Sequence, residues 1–269
     1  MVNNKTLIFG HKNPDTDSIM SSMVMANLEN QLGNEAIPVR LGKINKETEY
    51  VFNYLQIERP EEISDIEDGQ NVILVDHNES TQSANNISNA NILKVIDHHT
   101  MNFVAPYQLY YRAEPVGCTA TVLYKMYKEY DVEITKTIAT LMLSAIISDT
   151  LLLKSPTCTK EDKVIAEKLA KIAEVDLEKY GKDLLKAGTD ISDFTPEEVI
   201  NIDSKLFEKG GKKFKIAQIN TADIDDVFKN KAYFETAINN EIANENLDLY
   251  VFAATDILNL SLIHIWRCR

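Results

Sequence analysis

Three side chains in the stretch GHKNPDTDS, His11, Asp15 and Asp17, combine an imidazole with two carboxylates, a donor set that suits a divalent cation. Four further places could join them. Asp76 follows the apolar run Val72–Val75, and Asp97, His98 and His99 follow a second such run. Asp149 ends a stretch that is nearly all apolar, and Lys205 is a lone basic candidate further on. Each has an ordinary explanation by itself. An Asp after a strand is most often a turn or cap residue, and His77 in DHNE reads as only that. Adjacent histidines point in different directions on most backbones, so His98 and His99 could hardly serve one cation alike. An Asp at the end of a buried helix, however, needs a partner, because an unpaired buried charge is costly. Gathered within a few ångströms, these carboxylates would repel one another strongly unless cations intervened. Carboxylate and imidazole donors without thiolate favour Mn, Mg or Co over a structural zinc.

The elements that must position these groups follow from the apolar pattern. Leu7–Phe9 has the length and composition of a buried strand, and Gly10 ends it. Pro14 biases the residue before it away from helix. Asp17 or Ser18 is then placed to cap a helix carrying Ile19, Met23, Ala26 and Leu28. Ala36–Leu41 reads as a strand, Asn45–Gln56 as a helix, and Asn71–Asp76 and Ile92–Asp97 as strands ending in polar residues. Gln108–Ala113 alternates like a further strand. Three strands each delivering Asp or His at the carboxyl end, with helical patterns between, predict an α/β fold with a doubly wound parallel sheet. Such sheets bind their ligands beyond the carboxyl ends of the strands.

Helical periods follow at Gly117–Met126, Thr135–Ile147, Asp162–Ala173 and Leu177–Leu185. The loop-like stretch Ala187–Pro196 marks a domain boundary. The expected division is a first domain over 1–187, a linker over 188–196, and a smaller α/β domain over 197–259. In the latter, Ile202–Phe207 and Phe214–Ile219 flank KGGK as a hairpin, Asp223–Ala243 reads as a helix, and Leu247–Ala254 as a strand.

Composition narrows the class. The chain has 269 residues, 44% hydrophobic and 26% charged, as in an ordinary soluble globular protein. No apolar run reaches the roughly 18 residues of a membrane span, and the N-terminus lacks a signal peptide's basic start and apolar core. No membrane association and a cytoplasmic location are therefore expected. A net charge of -13 argues against a nucleic-acid groove, which needs a basic stripe. Cys118, Cys158 and Cys268 are too few and too widely spaced for a disulfide framework or a thiolate zinc site.

GHKNPDTDS, DHNE, DHH at Asp97–His99 and SDT at Ser148–Thr150, in that order, resemble the family II, manganese-dependent inorganic pyrophosphatases of the DHH phosphoesterase superfamily. The resemblance runs from the N-terminus to about Asn259. It implies an N-terminal DHH domain carrying the metals, a smaller DHHA2-type domain that closes over pyrophosphate, and a homodimer formed through the first domain. It also implies two Mn2+ per site, with Co2+ a possible substitute and Mg2+ accompanying the substrate. One ion would be held by His11, Asp15 and Asp76, the other by Asp17, Asp76, His98 and Asp149, which makes Asp76 the bridge. His99 would contact substrate, Asp97 would orient its neighbours, and Lys205 would bind phosphate. Two metals about 3.5–4 Å apart can share and acidify a water, giving a bridging hydroxide that attacks one phosphorus.

The chain departs from this pattern at its end. The family closes with a basic Ser-Arg-Lys-Lys segment, and nothing like it occurs here. Instead Leu260–Arg269, LSLIHIWRCR, contains the sole Trp, shows no cap or turn logic and resembles a translated sequencing-library adapter. It is expected to be non-native and outside the fold, with the substrate clamp incomplete and turnover weakened. The alternatives are another DHH phosphodiesterase acting on oligonucleotides or cyclic dinucleotides, and an inactive metal-binding protein. The first would carry a glycine-rich GGGH-type segment, which the sequence lacks. The second would be expected to have lost a ligand, and every position is filled.

Overall fold

The computed structural model describes residues 5–258, the side chain at 226 apart, and the backbone of 261–268. The chain divides into two compact units, Met1–Leu184 and Leu185–Arg269.

The first unit holds β1 (Thr6–Phe9), α1 (Thr16–Gln31), β2 (Ala36–Arg40), α2 (Lys46–Leu55), β3 (Glu61–Glu62), β4 (Asn71–Val75), β5 (Asn91–Asp97) and β6 (Tyr110–Ala113). Then come α3 (Thr119–Glu129), α4 (Lys136–Asp149), α5 (Lys160–Ala173) and α6 (Leu177–Gly188), and the division between the units falls within α6. The six strands form one sheet in the order β3-β2-β1-β4-β5-β6, and every pairing is parallel. The chain leaves β1 for β2 on one side and later returns to β4 on the other. The crevice between the ends of β1 and β4 is therefore the topological switch point, where sheets of this kind bind ligands. β4 is apolar and buried from Val72 to Val75, as a central parallel strand with both faces covered must be.

Two helices, α1 and α4, pack against each other and are buried on nearly every side. In α1 Ser21 and Ser22 are as buried as Met20 and Val24, small hydroxyl residues that let neighbouring backbone approach. Glu29, at the far end of α1, is buried with its carboxylate 2.6 Å from Lys94 Nζ, so its charge is paired. The cap of α1 differs from the sequence expectation. Asp15, and not Asp17 or Ser18, is the N-cap, its Oδ1 accepting from the Ser18 N–H at 2.9 Å. The helix starts two or three residues earlier than expected because Asp15, directly after Pro14, is already held extended.

The second unit contains α7 (Pro196–Val199), β7 (Asp203–Lys209), β8 (Lys212–Thr221), α8 (Ile224–Lys229), α9 (Lys231–Glu245), β9 (Leu249–Asp256) and β10 (Ser261–Cys268). Its sheet runs β10-β9-β8-β7, with β8 and β9 parallel and the two outer pairings antiparallel. Ala217, Ile219, Tyr250, Phe252 and Ala254 form a core with Phe234, Ala237 and Ile238 of α9. The single helix expected over Asp223–Ala243 is two, broken at Asn230, which serves as the end cap of α8 and the start of α9. The backbone of Ser261–Cys268, set aside from the sequence as non-native, runs antiparallel beside β9. Leu260 and Arg269 lie outside the described residues. Among the described residues no helix is long and apolar enough to cross a membrane.

Candidate metal centre

At the switch point the ends of β1, β4 and β5 and the C-terminus of α4 bring the candidate ligands together. Asp76 follows β4 directly and takes a left-handed backbone conformation, φ 58°, while its N–H still donates to Ile96 O at 3.0 Å. That turn is unfavourable for a residue with a Cβ, and such strain persists only where surrounding contacts impose it. Asp149 is the last residue of α4, and Leu151, Leu152 and Leu153 after it are all left-handed, at φ 47°, 53° and 64°.

Three groups of ligand atoms result, each within 4.8 Å of one another: His11, Asp15 and Asp76; Asp17, Asp76, His98 and Asp149; and Asp76, His98 and His99. Asp76 belongs to all three and turns a different oxygen to each of the first two. Its Oδ2 is 3.5 Å from His11 Nε2 and its Oδ1 is 3.3 Å from His98 Nε2. His11 Nε2 lies also 3.5 Å from Asp15 Oδ2. His98 Nε2 is 3.6 Å from Asp149 Oδ2 and 4.0 Å from Asp17 Oδ2.

Each imidazole is oriented by its other nitrogen. His11 Nδ1 is 2.8 Å from Lys12 O and His98 Nδ1 is 3.1 Å from Val116 O. A carbonyl only accepts, so both Nδ1 atoms carry hydrogen and both Nε2 atoms turn toward the carboxylates. His98 Nε2 is buried with no hydrogen-bond partner. A buried orphan nitrogen facing three carboxylates, with no thiolate nearby, is what a hard or borderline divalent cation would satisfy. The residues therefore fit the metal.

The electrostatics carry the same imprint. Burial, then the charges of Asp17 and Asp15, push the Asp76 carboxyl well above the ordinary carboxylate range. Asp149 is raised by burial and by Asp17 and Asp76. Burial opposes charge on His11, but Asp15 and Asp76 outweigh it and raise the imidazole to about 9. Protein cations alone thus leave the cluster short of positive charge.

His99 is the more exposed of the two histidines. Its Nδ1 is 2.9 Å from Asp97 Oδ1 and 3.7 Å from Asp76 Oδ1, and the ring is half exposed. The expected divergence of the two rings does not occur, for their centroids are 4.2 Å apart. Asp97 Oδ1 accepts both backbone N–H groups of His98 and His99 and so coils the chain tightly past β5. Asn78 Nδ2 donates to Asp97 Oδ2 at 2.6 Å. Burial works against the Asp97 anion, yet these hydrogen bonds lower its pKa to about 2, and the same bond to Asp97 raises His99. His77 has a structural role, bonded to Val75 O and Ser83 Oγ, and burial holds its pKa near 4. A cavity of about 200 Å³ opens beside the cluster, lined by His11, Asp76, Asn78, Glu79 and His99. A larger one, about 410 Å³, lies in the second unit among Lys186, Asp190 and Asn220, with none of the candidate ligands in its wall. Lys205 sits exposed on β7 of the second unit.

Sequence reading passed over several residues that support the cluster. Thr119 donates its N–H to Asp17 Oδ2 and its hydroxyl to Asp76 Oδ1. Ser21 donates to Asp17 Oδ1 at 2.6 Å. Glu47 accepts from the hydroxyls of Thr16 and Ser148, the neighbours of Asp15, Asp17 and Asp149. Asn78 in DHNE and Ser148 in SDT sit inside motifs and could have been weighed. Glu47 lies on the polar pattern of α2, where nothing marks one Glu among others.

Two family models match the chain: the DHH family N-terminal domain over residues 5–146 and the DHHA2 domain over residues 182–267. The manganese-dependent inorganic pyrophosphatase of Bacillus subtilis is 55% identical over 256 residues, covering 94% of this chain and 83% of that protein. A Methanococcus jannaschii protein assigned to the family II inorganic pyrophosphatases superposes with a TM-score of 0.71. It is 40% identical and covers 94% of this chain and 84% of the other. An exopolyphosphatase-related protein from Bacteroides fragilis gives a TM-score of 0.54 over 93% of this chain and 76% of that one; at 13% identity the likeness concerns the fold alone.

Proposed function

The chain belongs to the family II, manganese-dependent inorganic pyrophosphatases, built of DHH and DHHA2 domains, and from that premise we propose that it hydrolyses inorganic pyrophosphate to two phosphates. The carrying observation is that Asp76 turns one oxygen to each of two ligand groups, the arrangement a pair of cations requires. One Mn2+ would be held by His11, Asp15 and Asp76, the other by Asp17, Asp76, His98 and Asp149, with Co2+ a possible substitute and Mg2+ entering with the substrate. When bound, the cations supply Lewis acidity, acidifying water and neutralising phosphoryl charge.

The chain's own residues do the rest. Asp15, Asp17, Asp76 and Asp149 set the negative field that holds the cations. His99, oriented at Nδ1 by Asp97, presents Nε2 as a donor to the bridging or leaving oxygen. Asn78 keeps Asp97 in place for that task. Lys205 adds a fixed positive charge for the phosphate oxygens. On this reading the catalytic domain ends near residue 187, close to the division at Leu184 and Leu185, and the DHHA2 match over 182–267 covers the domain that closes over substrate.

A homodimer through the first unit belongs to the same reading. The outer strand β6 and the exposed Met101 and Val104 in the loop leading to it support it. A cytoplasmic location accords with the free thiols of Cys118 and Cys158, which suit a reducing compartment. The test is phosphate release from pyrophosphate against cleavage of a bis-phosphodiester, each with Mn2+ and with Mg2+. Faster turnover of pyrophosphate with Mn2+ is expected. Preference for the diester would move the chain to the oligonucleotide- or cyclic-dinucleotide-cleaving relatives.

A further inference from the structure

Where the chain passes from β6 into α3, two residues, Val116 and Thr119, touch three of the candidate ligands. Val116 O accepts from His98 Nδ1 at 3.1 Å. The Thr119 N–H donates to Asp17 Oδ2 at 2.7 Å, and the Thr119 hydroxyl donates to Asp76 Oδ1 at 3.1 Å. Thr119 is fully buried. These contacts converge because α3 begins here. The first N–H groups of a helix have no acceptor within it, and Cys118, the N-cap, offers no side-chain bond. The carboxylate of Asp17, carried on α1, fills that place from outside. The segment is also pinned from behind, where Asp162 Oδ2 accepts from the Gly117 N–H at 2.9 Å and Asp162 Oδ1 from the Thr121 hydroxyl at 2.6 Å. A Cβ on Gly117 would fall 2.8 Å from Asp162 Oδ2, so the close approach depends on glycine.

We propose that Thr119 is a positioning residue for the cation pair, one residue whose N–H orients Asp17 and whose hydroxyl orients Asp76. The proposal rests on the reading of Asp17 and Asp76 as cation ligands. Asp17 would hold the second cation alone, whereas Asp76 would hold both. A helix terminus gripping the two thereby fixes the spacing between the second site and the shared bridge.

Two substitutions separate this role from packing. Thr119→Val keeps the volume and the N–H but removes the hydroxyl from Asp76. Thr119→Ser keeps the hydroxyl and loses a buried methyl. Partners behind metal ligands are typically worth about 10–100-fold in metal affinity. Positioning therefore predicts that Val is the damaging change, and packing predicts that Ser is. The measurements are Mn2+ titration by calorimetry, thermal unfolding without metal, and kcat/KM on pyrophosphate, for the intact chain and both variants. Expected are Mn2+ binding about tenfold or more weaker in Thr119→Val and within about threefold of the parent in Thr119→Ser. The metal-free melting temperature should not follow that order. Unchanged Mn2+ affinity in Thr119→Val, or weaker binding in Thr119→Ser than in Thr119→Val, overturns the proposal. A parent chain that binds two Mn2+ yet leaves pyrophosphate intact overturns the proposed function, while the calorimetric ranking still decides the role of Thr119.

Discussion

Asp76 and His99 sit 3.7 Å apart and are held by opposite means. Asp76 is buried, in a left-handed turn, with its pKa pushed up by burial and neighbouring carboxylates. His99 is half exposed and tied to an Asp97 anion that is itself stabilised by Asn78 and two backbone N–H groups. On the proposed reading the first arrangement would take a cation on each side, and the second would present a donor to whatever enters the cavity. Asp76→Asn should therefore weaken binding of both Mn2+ ions, whereas His99→Gln should bind two and lose turnover by about a hundredfold or more. Calorimetric titration of both variants beside a phosphate-release assay tests the contrast. Two ions bound at parental affinity by Asp76→Asn, or one ion lost from His99→Gln, would show the division of roles to be mistaken.

Among the elements, the approach of β1 to α1 determines whether His11 can meet Asp15 at all. Gly10 makes that approach possible. A Cβ there would lie 1.9 Å from Ser18 Oγ and 2.8 Å from the Ser18 Cα, a backbone atom that cannot swing away. Gly10→Ala must push the strand end from the helix, and overpacking of this kind costs about 1–3 kcal/mol. Urea unfolding should show that loss, and Mn2+ titration should show a weaker site at His11 and Asp15. A parental denaturation midpoint would mean that the helix yields without cost. Glu47 plays a related part between α1 and α4. Burial raises its pKa against the two hydroxyl hydrogen bonds, and those bonds tie the segments carrying Asp15, Asp17 and Asp149 together.

For the molecule as a whole, the two units have separate cores, and every candidate metal ligand lies in the first. A cation that binds only the folded first unit stabilises it by about 2.7 kcal/mol at a hundredfold excess over its Kd. The second unit is held by its own contacts, among them Tyr250 Oη donating to Ile200 O at 2.6 Å inside the core of β9 and α9. Scanning calorimetry with Mn2+ and after chelation should show one transition moving and another staying. A single transition that shifts as a unit would show that the two unfold together.

Much of this was legible in one dimension. The apolar runs ending in His11, Asp76 and Asp97 announced a parallel sheet with ligands at its carboxyl edge, because a buried parallel strand must be apolar throughout and its last residue emerges into the crevice. The motif order likewise marked the side chains that the fold gathers, since a short stretch of chain can carry a candidate ligand's chemistry without any knowledge of its neighbours. The cap of α1 was misread by two residues, and the break at Asn230 was hidden, because local pattern tolerates a helix start or interruption at several places. Thr119, Glu47 and the tight pairing of His98 with His99 could not be read at all. Thr119 meets Asp17 across 102 residues and Glu47 meets Ser148 across 101. Only folding decides which hydroxyl or carboxylate stands behind a ligand, because a hydrogen bond depends on distance in space and leaves no spacing in the chain.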